Sequence, residues 1–129
     1  MVTRRAFLGA LALVAARPLR ALAGTDEPHP DPRPGITAAR VLGRAQLHEK
    51  SASRVFDLVR RMPQVADGIR CRCGCAELPG MRSLLSCFEG DGMAQHCQVC
   101  QGEARLAYRL HRRGKSLAQI RAAIDAEFA

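Results

Sequence analysis

All six cysteines of this 129-residue chain lie in one stretch, residues 69–100. They follow the pattern Cys-x-Cys-x-Cys, eleven residues, Cys, nine residues, Cys-x-x-Cys, at positions Cys71, Cys73, Cys75, Cys87, Cys97 and Cys100. Side chains at i, i+2 and i+4 of an extended segment point the same way, so the first three are expected to present their sulfurs on one edge. The last two are expected to share one face of a helical turn. Thiolates that converge from two directions predict a soft-metal or redox site.

The first hypothesis is a soft-metal protein that holds Cu(I) or Zn(II) through thiolates, with copper trafficking or resistance as its role. Zinc favours four ligands in a tetrahedron, whereas Cu(I) accepts two or three, and a metal cluster could use all six. His96, next to Cys97, is a further candidate ligand or a base for a thiol, although a plain loop histidine is an equal alternative. A second hypothesis is an iron–sulfur protein that uses four of the six cysteines, but their spacing fits no known ligand run.

The third hypothesis belongs to another class, a thiol–disulfide protein. Six cysteines allow fifteen pairings, and a Cys-x-Cys-x-Cys run pairs internally only with strain. The first three cysteines would therefore pair outward with Cys87, Cys97 and Cys100. The Cys-x-x-Cys pair also opens a predicted helix, where the helix dipole favours a reactive thiolate. Against a thioredoxin-like role, no βαβ pattern surrounds this pair.

Residues 1–23 are predicted to be a twin-arginine-like export signal. An apolar run over 6–16 is too short for an ordinary transmembrane helix, and Ala21-Leu22-Ala23 has the form of a cleavage site. The motif that resembles the twin-arginine signal is Thr3-Arg4-Arg5-Ala6-Phe7-Leu8. The alternative is an uncleaved anchoring N-terminus. We expect an exported, periplasmic or extracytoplasmic protein that meets the membrane only through this signal, in a compartment where disulfides persist.

Charge and motifs argue against two function classes. Without the four arginines of 1–23, 16 of the 20 basic residues remain against 12 acidic ones, a net charge of +4. The basic residues are spread out without interleaved aromatic residues, so no nucleic-acid partner is expected. No Ser/His/Asp set, glycine-rich phosphate loop or His-Glu-x-x-His motif occurs, and the sequence therefore leans against an enzyme. Glu103 is expected to be a helix-surface carboxylate. The expected partners are a metal ion and a metal-delivery or redox protein.

The predicted organisation is a signal (1–23), a proline-rich linker (24–36) and a cysteine-rich helical domain (37–129). Alternating prolines favour an extended spacer, in which His29 is expected to be an exposed linker histidine. Apolar residues recur near every 3.6 positions from Thr37 to Met62, which predicts a helix with a possible break at Ser51 and Ser53.

His48 falls on the apolar stripe of this predicted helix, where a packed or partly exposed histidine is expected rather than a ligand. Pro63 is expected to stop the helix, and Gln64 to Gly68 to form a short turn that leads into the cysteine stretch.

The last third predicts two antiparallel helices. The first runs from Cys97 to Arg113 and ends at Gly114, a residue suited to the left-handed conformation after a helix. Ser116 and Gln119 form a capping box for the second helix. No strand alternation is visible. The predicted fold class is therefore all-α, a small helical domain with a long cysteine-rich loop and a C-terminal antiparallel helix hairpin.

These residues resemble the PCYCGC-motif (CYCXC) family of small exported bacterial proteins, whose biochemical function is not settled. The resemblance covers residues 52–128 and keeps all six cysteines, together with Ser83-Leu84, Phe88, Gly114-Lys115-Ser116, Ile120-Arg121 and Ile124-Asp125. The chain departs from the family at Arg70, where relatives have proline, and at Arg72, where they have tyrosine.

The resemblance also implies histidines near two positions that are Met81 and Met93 here. If those histidines are ligands in relatives, this chain has exchanged imidazole for thioether. Cysteine with methionine suits Cu(I) better than zinc. The alternative is that both methionines only pack in a loop or core.

Overall fold

The computed structural model describes residues 28–129, and in this part of the chain every regular element is helical. The predicted all-α fold class is confirmed. The described residues form four α-helices: α1 (Ser53–Arg60), α2 (Pro63–Asp67), α3 (Gln98–Arg112) and α4 (Leu117–Phe128). Short 3₁₀ turns occur in the remaining stretches, at Ala38–Arg40, Arg44–Gln46, Lys50–Ala52, Cys75–Glu77, Leu84–Phe88 and Met93–His96. The irregular segment 68–97 between α2 and α3 is the predicted cysteine-rich loop.

The C-terminal helix hairpin forms as the sequence predicted. Gly114 has a φ of 76°, a left-handed conformation that glycine adopts without strain, and α3 ends two residues before it. Ser116 Oγ accepts a hydrogen bond from Gln119 N (3.2 Å), and Gln119 Oε1 accepts one from Ser116 N (2.9 Å). These reciprocal bonds start α4 at the next residue.

The hairpin brings the start of α3 to the end of α4. A Cβ atom built on Gly102 would lie 3.1 Å from the ring of Phe128, so any larger residue at this position would push the ring away from α3 by a few tenths of an ångström. Ile120 and Ile124 are fully buried on the inner face of α4. The antiparallel arrangement therefore places the last turn of α4 beside the cysteine cluster.

The predicted helix from Thr37 to Met62 is wrong over its first half. Only residues 53–60 form an α-helix. The 3₁₀ turn at Lys50–Ala52 leads directly into it, and the residues before that turn form two further short 3₁₀ turns separated by extended backbone. His48, placed on the apolar stripe by its spacing, is exposed, whereas its neighbour Leu47 is buried.

Long-range hydrogen bonds explain why this segment does not continue as a helix. Leu42 N donates to Phe88 O (3.1 Å), and Gln95 Oε1 accepts from both His48 N (2.8 Å) and Glu49 N (3.0 Å). A backbone N–H needs one acceptor, and tertiary partners provide it here in place of the residue four positions earlier. Periodicity along the chain does not reveal such partners.

The turn predicted for Gln64 to Gly68 is also corrected, because residues 63–67 form the short helix α2. Pro63 does not only stop the preceding helix. It occupies the first turn of the next one, where its missing N–H leaves no hydrogen bond unmade. This helix carries Asp67 into the interior, where its side chain is fully buried.

The central element of the core is α3, which contacts each of the other three helices. Phe56 of α1 and Phe88 of the cysteine-rich loop meet edge to face, with ring centroids 4.7 Å apart. Both rings are fully buried. Apolar contacts in the core therefore attach the cysteine-rich loop to the helices.

The proline-rich segment from residue 28 onward lies against the domain. His29, predicted to be exposed, has a side chain only 11% accessible and bonds to Asp125 of α4 and to the backbone of Arg70. Arg33 forms two side-chain hydrogen bonds to buried Asp67. The prediction of an exposed linker histidine is wrong, because partners distant in sequence bury it.

The predicted export signal, residues 1–23, and the first linker residues lie outside the described residues 28–129, and the domain boundaries stay a prediction. Within the described residues, no helix combines the length and apolar character needed to cross a membrane.

Candidate metal centre

The six sulfur atoms gather at the N-terminus of α3. Cys71, Cys73 and Cys100 form a triangle, with Sγ–Sγ distances of 3.3 Å (Cys71–Cys73), 3.4 Å (Cys71–Cys100) and 3.4 Å (Cys73–Cys100). Cys75 Sγ lies 3.3 Å from Cys87 Sγ. The predicted convergence of thiols from two parts of the chain is therefore present in the fold.

The sulfurs form two overlapping groups. An inner group consists of Cys71, Cys75, Cys87 and Cys100, which are all buried and whose sulfurs lie within 4.8 Å of one another. An outer group consists of Cys73, Cys97 and Cys100, also within 4.8 Å, and here Cys73 and Cys97 are partly accessible. Such a cluster of buried thiols could hold a metal ion.

The backbone conformation around Gly74 determines that Cys71 and Cys75 belong to the inner group and Cys73 to the outer group. Gly74 has a φ of 90°, and this left-handed residue turns the chain into the 3₁₀ turn that begins at Cys75. Cys75 N then donates to Cys73 Sγ at 3.4 Å. The expectation of an extended segment with three sulfurs on one edge is wrong, because this turn sends Cys75 inward and leaves Cys73 outside.

The Cys-x-x-Cys pair opens α3, as predicted. Cys97 is the N-cap residue, and its sulfur accepts a hydrogen bond from Cys100 N at 3.4 Å. The partial positive charge of the helix N-terminus favours negative charge on sulfurs at this position. The hydrogen bond from Cys100 N to Cys97 Sγ thus caps the helix and also positions the two thiols.

Burial and mutual proximity raise the pKa of three inner thiols, Cys71, Cys87 and Cys100, and make their ionisation costly. The contact with Cys100, burial and the nearby Glu103 carboxyl raise the pKa of Cys71 above its ordinary value. The contact with Cys71 lowers the pKa of Cys100, but its contact with Cys87 and burial outweigh this and raise it. Adjacent thiolates repel each other in a medium of low polarity, and a bound cation would compensate their charge.

Glu103 belongs to this site, although it was interpreted from the sequence as a helix-surface carboxylate. Its side chain is fully buried on α3, and Oε2 lies 2.9 Å from Cys71 Sγ. Oε1 accepts a hydrogen bond from Arg72 N at 2.6 Å. Burial raises the pKa of Glu103 despite these two contacts. Its position three residues after Cys100, on the same helix face, was the available sequence signal.

An ion-pair network fixes the loop that carries Cys71 and Cys73. Arg72 Nη2 lies 2.6 Å from Asp125 Oδ1 on α4, and the arginine side chain is only 6% accessible. His29 Nδ1 accepts from Arg70 N (2.9 Å), which leaves Nε2–H to donate to Asp125 (3.1 Å). Burial lowers the pKa of His29 although Asp125 favours its charged form. The residue at position 72, where relatives have tyrosine, thus attaches the loop to α4.

The remaining candidate ligands lie apart from the two sulfur groups. His96 is exposed at the end of a 3₁₀ turn. Met81 and Met93 line a separate cavity of about 390 Å³ together with Arg33, Arg40 and Arg82, and none of the six cysteines lines it. A ligand role for these three residues stays a prediction.

The sulfurs do not separate into three isolated pairs. All six cysteines carry free thiols in the structure, and the closest sulfurs are 3.3 Å apart, whereas a disulfide bond measures about 2.0 Å. Cys100 Sγ lies within 4.8 Å of all five other sulfurs, and Cys71 lies next to both Cys73 and Cys100. A shared cluster describes this arrangement better than pairwise cross-links.

Fold and site together define a small all-helical protein with a buried cluster of cysteine thiols that could hold a metal ion. The chain belongs to the family of proteins of unknown function with the PCYCGC motif, whose model matches residues 44–129. The resemblance seen in the cysteine pattern is thereby confirmed over a slightly longer stretch. No curated protein and no solved structure is significantly similar to the chain.

Proposed function

We propose that this protein binds a soft metal ion, Cu(I) or Zn(II), through its cysteine cluster and takes part in metal trafficking or resistance outside the cytoplasm. The observation that carries the proposal is the inner group, four buried sulfurs within 4.8 Å of one another. Thiolate ligands select Cu(I), zinc and iron–sulfur clusters over hard cations such as Mg²⁺ and Ca²⁺.

The distances support a single ion in the inner group. Four thiolates at about 2.3 Å from a tetrahedral zinc ion are about 3.8 Å from each other. On binding one ion, the 3.3 Å contact between Cys75 and Cys87 would lengthen by about 0.5 Å, and the other inner pairs, all within 4.8 Å, would change by about 1 Å at most. An iron–sulfur cube would separate its cysteine ligands more widely than one ion does, because irons and sulfides lie between them.

The small size of the domain makes bound metal important for folding. Domains of this size bury a limited share of their surface, and structural zinc supplies about 10–16 kcal/mol in small peptide domains. The segment 68–97 contains no α-helix. Four of the six cysteines lie in it ahead of Cys97. An ion bound by cysteines of this loop and of α3 would hold the two together.

The experiment that tests the proposal is elemental analysis with a free-thiol count on one sample, purified without oxygen or chelator after expression with the native N-terminus. We expect stoichiometric copper or zinc. Stoichiometric iron would replace the proposal by an iron–sulfur protein. Absence of metal together with absence of free thiols would contradict it and indicate three disulfides. Absence of metal with two titratable thiols would contradict it in favour of a redox pair.

A prediction about Glu103 tests the surroundings of the site. When Cys71 is a thiolate ligand, the proton between the two groups lies on Glu103 Oε2, which then donates to Cys71 Sγ across the observed 2.9 Å. Outer partners of this kind typically contribute 10–100-fold to metal affinity. We expect Glu103→Ala to weaken metal binding by about this factor, measured by competition with a chromophoric chelator.

Glu103→Gln is the matched variant for this prediction. Its amide N–H can donate to the thiolate while its oxygen still accepts from Arg72 N. We expect it to retain affinity within a few-fold of the unaltered protein. Equal losses in both variants, with unchanged helix content by circular dichroism, would show that the hydrogen bond to Cys71 does not matter.

A further inference from the structure

The two sulfur groups are not independent, because Cys100 belongs to both. Its side chain is fully buried, and its sulfur lies 3.4 Å from Cys71 on the inner side and 3.4 Å from Cys73 on the outer side. Cys100 stands in the first turn of α3, so the helix fixes its position between the groups. A thiolate sulfur has more than one lone pair and can bind two metal ions at once.

A single ion leaves part of this cluster without a role. Four inner thiolates complete the tetrahedral coordination of one ion, and Cys73 and Cys97 then remain beside it with their sulfurs close to Cys100. From this geometry, and resting on the proposed function, we infer that the cluster is a binuclear centre. Cys100 bridges an inner ion, held by Cys71, Cys75 and Cys87, and an outer ion, held by Cys73 and Cys97.

The two ions have different surroundings and therefore different roles. The inner ion has four buried ligands, the closed arrangement of structural metal sites. The outer ion has three ligands, of which two are partly accessible, and keeps an open position. A soft ligand of a partner protein, a thiolate or an imidazole, can bind at that position. The outer ion is the exchangeable cargo, and the inner ion is a permanent part of the fold.

The surroundings of the outer group favour this role. Backbone N–H groups point at both accessible sulfurs, from Cys75 to Cys73 and from Cys100 to Cys97. These bonds and the N-terminus of α3 stabilise the negative charge of three thiolates. A Cβ atom built on Gly74, which is exposed beside Cys73, would meet no atom within 4 Å. A partner can therefore approach this side of the cluster.

The experiment uses ¹¹³Cd(II) as the probe, loaded anaerobically into the purified full chain. We expect two bound ions per chain by native mass spectrometry and two ¹¹³Cd resonances that split each other through the shared sulfur. After addition of EDTA, we expect one ion to leave at least tenfold faster than the other. Two resonances without mutual splitting would overturn the bridge, and equal rates of loss would overturn the exchangeable site.

A double variant separates the two sites. Cys73→Ser/Cys97→Ser keeps all four inner ligands, and we expect it to bind one ion, with an unsplit resonance and slow loss to EDTA. Ala76→Ser, a substitution next to Cys75 that removes no thiol, is the control and should bind two. If the unaltered protein binds only one ion, the binuclear centre is refuted while the proposed metal binding stands. If it binds none, both fail.

Discussion

Cys100→Ser is expected to weaken the binding of both metal ions, the largest effect of any single cysteine substitution in this protein. Cys100 is the one sulfur present in both groups, and the serine hydroxyl that replaces it is a poor ligand for a soft ion. Cys97→Ser, on the same turn of α3, removes a ligand of the outer group only. We expect that variant to keep one tightly bound ion, as counted by native mass spectrometry.

The loss of metal should also appear as a loss of stability. An ion present at a thousandfold its dissociation constant stabilises the folded state by about 4 kcal/mol, and this contribution disappears when binding is abolished. Thermal unfolding with added metal should therefore distinguish Cys100→Ser, in which both ions contribute less stability, from Cys97→Ser, which keeps the full contribution of the inner ion. Equal ion counts in the two variants would contradict a central role for Cys100.

Asp67→Ala is expected to lower the free energy of unfolding by about 3 kcal/mol, the upper range for hydrogen bonds to a charged group. The Asp67 carboxylate is fully buried and accepts from Arg33 N (2.7 Å), Arg33 Nη2 (2.8 Å) and Ser83 Oγ (3.1 Å), and Arg82 Nη1 lies 3.1 Å away. The two arginines are partly exposed, so water can replace part of this interaction and moderates the loss.

The measurement is thermal unfolding at equal metal loading, where 3 kcal/mol corresponds to a decrease of about 12–24 °C for a domain of this size. Asp91→Asn alters an exposed aspartate and serves as the control, with an expected shift close to zero. A shift below about 3 °C for Asp67→Ala would mean that the carboxylate does not hold the N-terminal segment to the domain.

The pKa of Asp67 also leads to a prediction of how the free energy of unfolding depends on pH. Burial alone would raise the pKa of Asp67, but hydrogen bonds from Arg33 and Ser83 outweigh it and lower the pKa below its ordinary value. A carboxyl with a lowered pKa in the folded state contributes its full stability above the unfolded value of about 3.9 and loses it as the pH falls through the folded value. Below about pH 4, the stability of Asp67→Asn should therefore fall less steeply than that of the unaltered protein.

Local patterns in the sequence were sufficient for the C-terminal hairpin. The signals at Gly114, Ser116 and Gln119 act within a few residues of where they stand, through a left-handed backbone and two short-range hydrogen bonds. The 37–62 segment shows the opposite case. Its apolar spacing predicted one helix, but acceptors on Phe88 and Gln95, more than forty residues away, bind the N–H groups of its first half.

The candidate site was predictable in its members and unpredictable in its arrangement. The concentration of all six cysteines in residues 71–100 identified the thiol cluster. The sequence did not reveal that the left-handed Gly74 sends Cys75 inward and leaves Cys73 outside. It also placed Glu103 on the surface, because a single carboxylate on an amphipathic helix shows no sign of burial until the packing of the surrounding loop is known.

What the sequence by itself determined is the all-α class, the hairpin and the identity of the sulfur donors, because each depends on residue type and on spacing over a few positions. Only the tertiary structure decided which sulfurs lie together and how deeply each cysteine is buried. That outcome depends on contacts between distant residues, such as Arg72 with Asp125 and His29 with Arg70, which fix the loop against α4. Long-range ion pairs and hydrogen bonds of this kind leave no periodic trace in a single sequence.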